Sequence, residues 1–287
     1  ASSLQALIEC PRAFAYRYRF HLKEQDFPEK DPSTWLSKKD RGTFMHALLQ
    51  YYTEAVFGGK RREDYPGELD EALIERLKIQ VRTEMQDLYP IANAWAADRQ
   101  IGEMTKICRD YLARVHEDYA SPSGWAFASA EQHFEDLSYE LHVPGGEKVQ
   151  FGLSGIIDRI DYRLDHEAGV LHFRIIDYKF GKTTVDKHLF NGSQIQQYLY
   201  LLALEKDKAL LEKLRCVVTG LYPELKIGSY RLITDEFRYL FLVKPVKEDE
   251  ILEFPFDLAG AKVRPEARLT AALKAMQKSG QYVTMYE

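Results

Sequence analysis

Apolar positions recur at helical spacing over roughly the first 120 residues and then change to the alternation of strands. "SSLQALIECPRAFAYRYRF" offers Ser2 or Ser3 as an N-cap, and Pro11 inside it predicts two short helices or a kink. Asp26 to Ser37, with Pro28 and Pro32, reads as a loop. Lys39 to Phe57 is a second helix, ended by Gly58 and Gly59. Glu68 to Tyr89 and Ala92 to Tyr119 are two more, with Pro90 between them. Trp125 to Glu135 and Leu137 to Val143 alternate like two strands, and "VPGGEK" reads as a turn. Val149 to Tyr162 and Val170 to Lys179 are longer strands joined by "DHEAG", which predicts an antiparallel hairpin. Asp186 to Glu205 is a helix, with a polar helical stretch on to Lys213. Leu214 to Tyr222, Ile227 to Ile233 and Phe237 to Val243 read as strands, and Glu266 to Lys278 as a last helix. This order predicts an α/β (α+β) fold: a sheet flanked by helices, preceded by a helical region.

Composition narrows the class without changing that layout. Of 287 residues, 45% are apolar and 13% aromatic, enough to fill a sizeable core. Lys plus Arg number 39 and Asp plus Glu 44, a net charge of −5. That excludes a protein held on nucleic acid by bulk charge alone, though not a local basic channel around an acidic centre. Cys10, Cys108 and Cys216 are widely spaced and form no CxxC. They argue against a secreted disulfide framework and for a reducing, cytoplasmic setting. No apolar run approaches the roughly 20 residues that span a bilayer, and no signal peptide is visible, so no membrane partner is expected. The chain starts at Ala1 without Met, which we read as a fragment or a processed piece. A single domain over 1–287 is expected: a mainly helical part (1–120), a catalytic sheet and helix (121–246) and a C-terminal helical segment (247–287).

The hairpin "GIIDRIDYRLDHEAGVLHFRIIDYKFGK" sets charges among isoleucines. By strand alternation Asp177 and Lys179 share one face and Tyr178 takes the other. On the preceding strand Ile156, Asp158 and Ile160 share a face, opposite Ile157, Arg159 and Asp161. Pairing then lets Asp158 lie beside Asp177 and Lys179. Two close carboxylates raise each other's pKa unless a cation sits between them. Carboxylate oxygens are the hard ligands that Mg²⁺ and Mn²⁺ prefer. A protonated Lys is no ligand, but it can orient the attacking water or stabilise charge on a phosphate. The set suits phosphodiester hydrolysis. A solvated strand face is the plain alternative for Asp177 and Lys179 taken alone. Glu224-Leu225-Lys226 repeats the acid-x-Lys pattern, and we read it as a decoy. A glycoside hydrolase needs only an acid–base carboxyl pair and leaves the Asp-x-Lys unexplained.

Other elements flank the hairpin. Gln194 and Tyr198 are i and i+4 on the helix that follows, beside an apolar face of Ile195, Leu199, Leu202 and Ala203. Gly42 stands four residues before His46, and Glu131 lies on the strand before the hairpin. Cys10-Pro11-Arg12-Ala13-Phe14 opens the chain. In this order the residues resemble the PD-(D/E)XK nuclease superfamily, and most closely its RecB and AddB type of C-terminal nuclease domain. That pattern runs Cys-Pro-x-x-(Phe/Tyr), Gly-x-x-x-His, a Glu-bearing strand, Gly-x-x-Asp, Asp-Tyr-Lys-x-Gly and Gln-x-x-x-Tyr. It is met here at Cys10 to Phe14, Gly42 to His46, Glu131, Gly155 to Asp158, Asp177 to Gly181, and Gln194 to Tyr198.

The resemblance implies a restriction-endonuclease-like mixed sheet and a metal-dependent deoxyribonuclease, an exonuclease working with a helicase in recombination or repair. It implies His46, Asp158, Asp177 and the Tyr178 backbone carbonyl as ligands of Mg²⁺ or Mn²⁺, with the imidazole favouring Mn²⁺. Lys179 would be the catalytic lysine, Gln194 and Tyr198 would support the site or the DNA, and Glu131 would be a ligand or sit just behind one. Asp161 is better placed for an ion pair with Arg159 or Arg163, or is itself the ligand if the alternation slips. AddB-like members hold a [4Fe–4S] cluster with one early Cys and three late ones. Cys10 stands at the first position, the other three are missing here, and four thiolates are required. A cluster would need cysteines beyond Glu287. "YRYRFHLK" alternates aromatic and basic residues, suited either to a strand of DNA or to an amphipathic helix with aromatics inward. Arg12, Arg17, Arg19 and Lys182 are the expected nucleic-acid contacts. The competing reading is a DNA-binding module of the same fold that has lost the chemistry.

Overall fold

The computed structural model describes residues 2–22, 31, 33–142, 148–179 and 196–241, with 267, 270 and 271. Helices α1 (Ser2–Glu9) and α2 (Pro11–Phe14) meet at Cys10, and α2 runs on as a π-helical turn, Ala15–Arg19. The break follows from Pro11, which is tolerated at the first position of a new helix but not inside an old one. Three longer helices follow: α3 (Lys38–Phe57), α4 (Glu71–Leu88) and α5 (Ala94–Ala120). Each begins at a side-chain cap that accepts a backbone N–H: Ser37 from Asp40, Asp70 from Leu73, Asn93 from Ala96. Gly59 takes a left-handed φ of 68° just past α3, a conformation glycine adopts without penalty.

Four strands form one mixed sheet in the order β1 (Ala126–His142), β2 (Lys148–Asp165), β3 (Val170–Lys179) and β4 (Arg231–Phe241). The first two junctions are antiparallel and β3–β4 is parallel. A parallel pair needs a long crossover, and α6 (Gln196–Lys206) and α7 (Lys208–Leu221) lie between its two strands in the chain. Helices cover both faces. One core packs α3, α4 and α5 against Trp125, Phe127, Ile176 and Tyr178. The other packs α1, α6 and α7 against Ile157, Ile160, Phe173 and Ile175. No helix among the described residues is long and apolar enough to cross a membrane.

Several expectations change. The two strands read as Trp125–Glu135 and Leu137–Val143 are one, because the gap is a bulge between Phe134 and Leu137, not a break. Leu214 to Tyr222 is no strand but the second half of α7. Leu210, Leu214 and Val218 are buried at a spacing of four, and Asp207 caps the helix through the Leu210 N–H. Ile227–Ser229 is a 3₁₀ turn, and the remaining two predicted strands fuse into β4. The "VPGG" turn, the first half of the helix expected over Asp186 to Glu205, and most of that expected over Glu266 to Lys278 lie outside the described residues.

Candidate metal centre

The β2–β3 register decides what converges. Arg159 pairs with Ile176 and Ile160 with Ile175, so one step on, Asp158 faces Asp177. There the ladder gives way to a side chain: Asp158 Oδ2 accepts the Tyr178 N–H at 2.6 Å. Across β2 on the other side, Ala130 pairs with Arg159 and Gln132 with Ile157, which sets Glu131 beside Asp158. Glu131 has a φ of 42°, a left-handed backbone that costs a non-glycine residue energy and interrupts the alternation of β1. Its carboxylate reaches α3, where Oε1 lies 3.3 Å from His46 Nδ1. The same nitrogen is 3.7 Å from Asp158 Oδ1. One ligand atom from each of His46, Glu131 and Asp158 falls within 4.8 Å of the others.

Strict alternation fails on β2 as well. Ile157 and Ile160 both enter the core under α1, α6 and α7, Ile156 is 38% exposed, and Asp158 and Arg159 both reach the α3–α5 side. The expected grouping of Ile156, Asp158 and Ile160 is therefore corrected by the local coiling of the strand. Arg159 and Asp161 do share a side. Asp161 is fully buried, accepts hydrogen bonds from Tyr119 (2.7 Å), Arg159 (3.1 Å) and Arg174 (2.8 Å), and is not part of the His46–Glu131–Asp158 cluster. Arg159 thus makes the ion pair expected for Asp161, while Arg163 stacks on Trp125, whose ring also meets Arg174. Arg159 in turn donates to the Tyr111 hydroxyl at 2.7 Å. The rings of Tyr111 and His46 both meet that of Tyr178 edge-on, at 5.4 Å each.

Electrostatics says what the cluster lacks. Burial pushes the Asp158 carboxyl up to about 7, and the charge of Asp177 adds to the rise against the opposing effects of His46 and the Tyr178 N–H. Burial alone would lower His46, yet the Glu131 hydrogen bond and the charges of Asp158, Glu131 and Asp177 outweigh it and raise its pKa. Two carboxylates, Glu131 and Asp158, crowd one imidazole in a desolvated corner, and Asp177, outside that close cluster, adds its charge to both Asp158 and His46. An imidazole nitrogen with carboxylate oxygens is a donor set that fits a divalent cation, which would relieve that repulsion.

The sequence profile of the PD-(D/E)XK nuclease superfamily matches residues 1–276. The chain belongs to the PD-(D/E)XK nuclease superfamily. It is 30% identical over 217 residues to an ATP-dependent helicase/deoxyribonuclease subunit of Clostridium tetani, covering 72% of this chain and 17% of that protein. The protein of the same name from Acetivibrio thermocellus is 29% identical over 219 residues, 71% of this chain and 17% of its own length. The chain thus spans under a fifth of the curated relatives it matches. Its mixed sheet between helical layers is the restriction-endonuclease-like arrangement of the superfamily.

Within this nuclease fold the remaining expected residues are placed as follows. Asp177 is almost fully buried on β3 opposite Asp158. Lys179 is the last residue of β3, paired with Phe241, and its side chain lies outside the described residues. Gln194 and Lys182 lie outside them altogether, as do the side chains of Tyr198 on α6 and Arg19 on the π turn. Arg12 and Arg17 are exposed, the latter over the Tyr18 ring at 5.7 Å. Of the aromatics near them, Tyr18 packs on Phe14, but Tyr16 and Phe20 point outward at 46% and 54% exposure, contrary to a wholly inward aromatic face. Cys10 is exposed, and its sulfur caps α2 through the Ala13 N–H. Cys108 is buried in the α3–α5 core. Three cysteines so placed do not make a four-thiolate site. Glu224 pairs with Arg61 at 2.8 Å on the surface, which explains the second acid-x-Lys pattern without chemistry. Tyr111, which backs Tyr178, gave no signal in the sequence beyond a helical apolar position.

Proposed function

We propose that the chain is a divalent-metal-dependent deoxyribonuclease, an exonuclease of the RecB type that acts beside a helicase in DNA recombination and repair in the cytoplasm. The observation that carries this reading is the convergence of His46, Glu131 and Asp158, with Asp177 adding its charge, at one corner of the sheet. The name of the relatives, helicase/deoxyribonuclease, supports it. His46, Asp158, Asp177 and the Tyr178 carbonyl would hold Mg²⁺ or Mn²⁺. A bound cation of that kind supplies Lewis acidity toward the phosphodiester and lowers the pKa of water. Glu131 orients the His46 ring, and the Tyr178 N–H fixes the Asp158 carboxylate. Lys179 stabilises charge gathering on the phosphate. Gln194 and Tyr198 support the site, while Arg12, Arg17, Arg19 and Lys182 hold the nucleic-acid backbone.

End-labelled single- and double-stranded DNA, incubated with the chain in Mn²⁺ or Mg²⁺, should be degraded, and chelator should stop the reaction. Asp177→Ala and Lys179→Ala should abolish cleavage while leaving the melting profile cooperative. Full activity in a well-folded Lys179→Ala protein would defeat the assignment.

A further inference from the structure

Gly42 sits on α3 one turn before His46, on the same helix face. Glycine inside a helix destabilises it relative to alanine, because more backbone freedom is lost on folding. Its use here therefore calls for a reason, and two structural reasons fail. Gly42 has no positive φ, so the backbone conformation does not require it. Packing does not require it either, since a Cβ built at Gly42 meets nothing within 4 Å among the described residues. Among the described residues the face is bare, which leaves room for close approach of a ligand to the helix.

The neighbours on that face indicate its chemistry. One turn further toward the N-terminus stand Lys38 and Lys39, both exposed, with no acidic partner among the described residues. In the other direction lie His46 and the acidic cluster. A bare strip of helix thus leads from two ammonium groups to the cation site, a course that suits a phosphate backbone held by Lys side chains. Gly102 on α5 is a useful contrast. It too is helical with nothing within 4 Å, but it shares its face with Asp98, which pairs with Arg82 of α4.

We infer that the nucleic-acid strand being cut lies across the Gly42 face of α3, between Lys38/Lys39 and His46, and that Gly42 is the contact surface that lets it approach. The inference rests on the nuclease reading above. Four proteins test it: the wild type, Gly42→Ala, Gly42→Gln and, as control, Gly102→Ala. Each is melted without DNA, with and without Mn²⁺, and assayed for binding of a labelled oligonucleotide in Ca²⁺ and for cleavage in Mn²⁺. Gly42→Ala and Gly102→Ala should each raise the melting temperature by roughly 2 °C. All four should keep the same Mn²⁺-induced shift. Gly42→Gln should lose cleavage at low DNA concentration by roughly tenfold or more, mostly through weaker binding, with Gly42→Ala between it and the wild type. Gly102→Ala should cleave as the wild type does. Wild-type cleavage by Gly42→Gln would overturn the inference alone. A lower melting temperature for Gly42→Gln would overturn it too, by showing that protein packs on this face. A wild type that cleaves no DNA would remove the nuclease reading and the strand path with it.

Discussion

Replacing Asp158 by Asn should make the metal-free protein more stable while destroying its metal response. The carboxyl is buried beside Asp177, and its pKa is raised from 3.8 to about 7. A raised acid pKa means that the folded state binds the proton more tightly than the unfolded state. The associated stability is present at pH below 3.8 and is lost as pH rises toward 7. At pH 8 in chelator the ionised group therefore costs about 4 kcal/mol, taking ~1.36 kcal/mol per pKa unit over ~3 units. Asn keeps an oxygen for the Tyr178 N–H and carries no charge. Allowing half of the gain for the amide group that must be accommodated leaves about 2 kcal/mol, or roughly 5 °C in melting temperature. Thermal melts at pH 5 and pH 8, in chelator and in millimolar Mn²⁺, measure this directly. The wild type should lose stability from pH 5 to pH 8 in chelator and regain it with Mn²⁺. Asp158→Asn should melt higher than the wild type at pH 8 in chelator, change less with pH and respond little to Mn²⁺. An Asp158→Asn protein that melts lower at pH 8, or that responds to Mn²⁺ as the wild type does, would refute the electrostatic argument.

Asp161, three residues away, should behave in the opposite sense. Asp161→Ala strands Arg159 and Arg174 in the interior and should cost about 3–5 kcal/mol in urea unfolding. Gly155 pairs with Phe134, and a Cβ there would come within 2.7 Å of the ring. Gly155→Ala should lose about 1–3 kcal/mol by overpacking, with much of it recovered by adding Phe134→Leu. His116 is neutral: Nδ1 donates to the Pro66 carbonyl and Nε2 accepts from the Tyr52 hydroxyl, which itself accepts the Asp70 N–H. Burial lowers its pKa against the Pro66 hydrogen bond, so its stability is present above pH 6.5 and lost as pH falls below that. Melts from pH 7.5 to 5 should show a steeper acid-side fall in the wild type than in His116→Gln.

The helical half was legible because its signals are local. Caps at Ser37, Asp70 and Asn93, and apolar residues at a spacing of three or four, determine α3 to α5 with no help from the rest of the chain. The sheet was harder where the signal is tertiary. "LRCVVTGLY" is rich in β-branched and aromatic residues and so resembles a strand, yet the decisive cue was Asp207 with Leu210, Leu214 and Val218 in helical register. The opposition of Asp158 and Asp177 could be read from the hairpin alone. The part of Glu131 could not, since it depends on a left-handed backbone in β1 and on a histidine 85 residues earlier. Alternation along β2 likewise cannot reveal a local twist that puts Asp158 and Arg159 on the same side.

His46, Glu131, Asp158 and Asp177 come from α3, β1, β2 and β3, so no local segment holds more than a fraction of the centre. Closing it requires the helical layer to dock on a hairpin made later in synthesis, contacts of long sequence separation that form slowly. A half-folded or nascent chain therefore carries no complete centre. On the nuclease reading proposed above, distributing the ligands over the whole fold makes completion of folding the safeguard against premature cleavage.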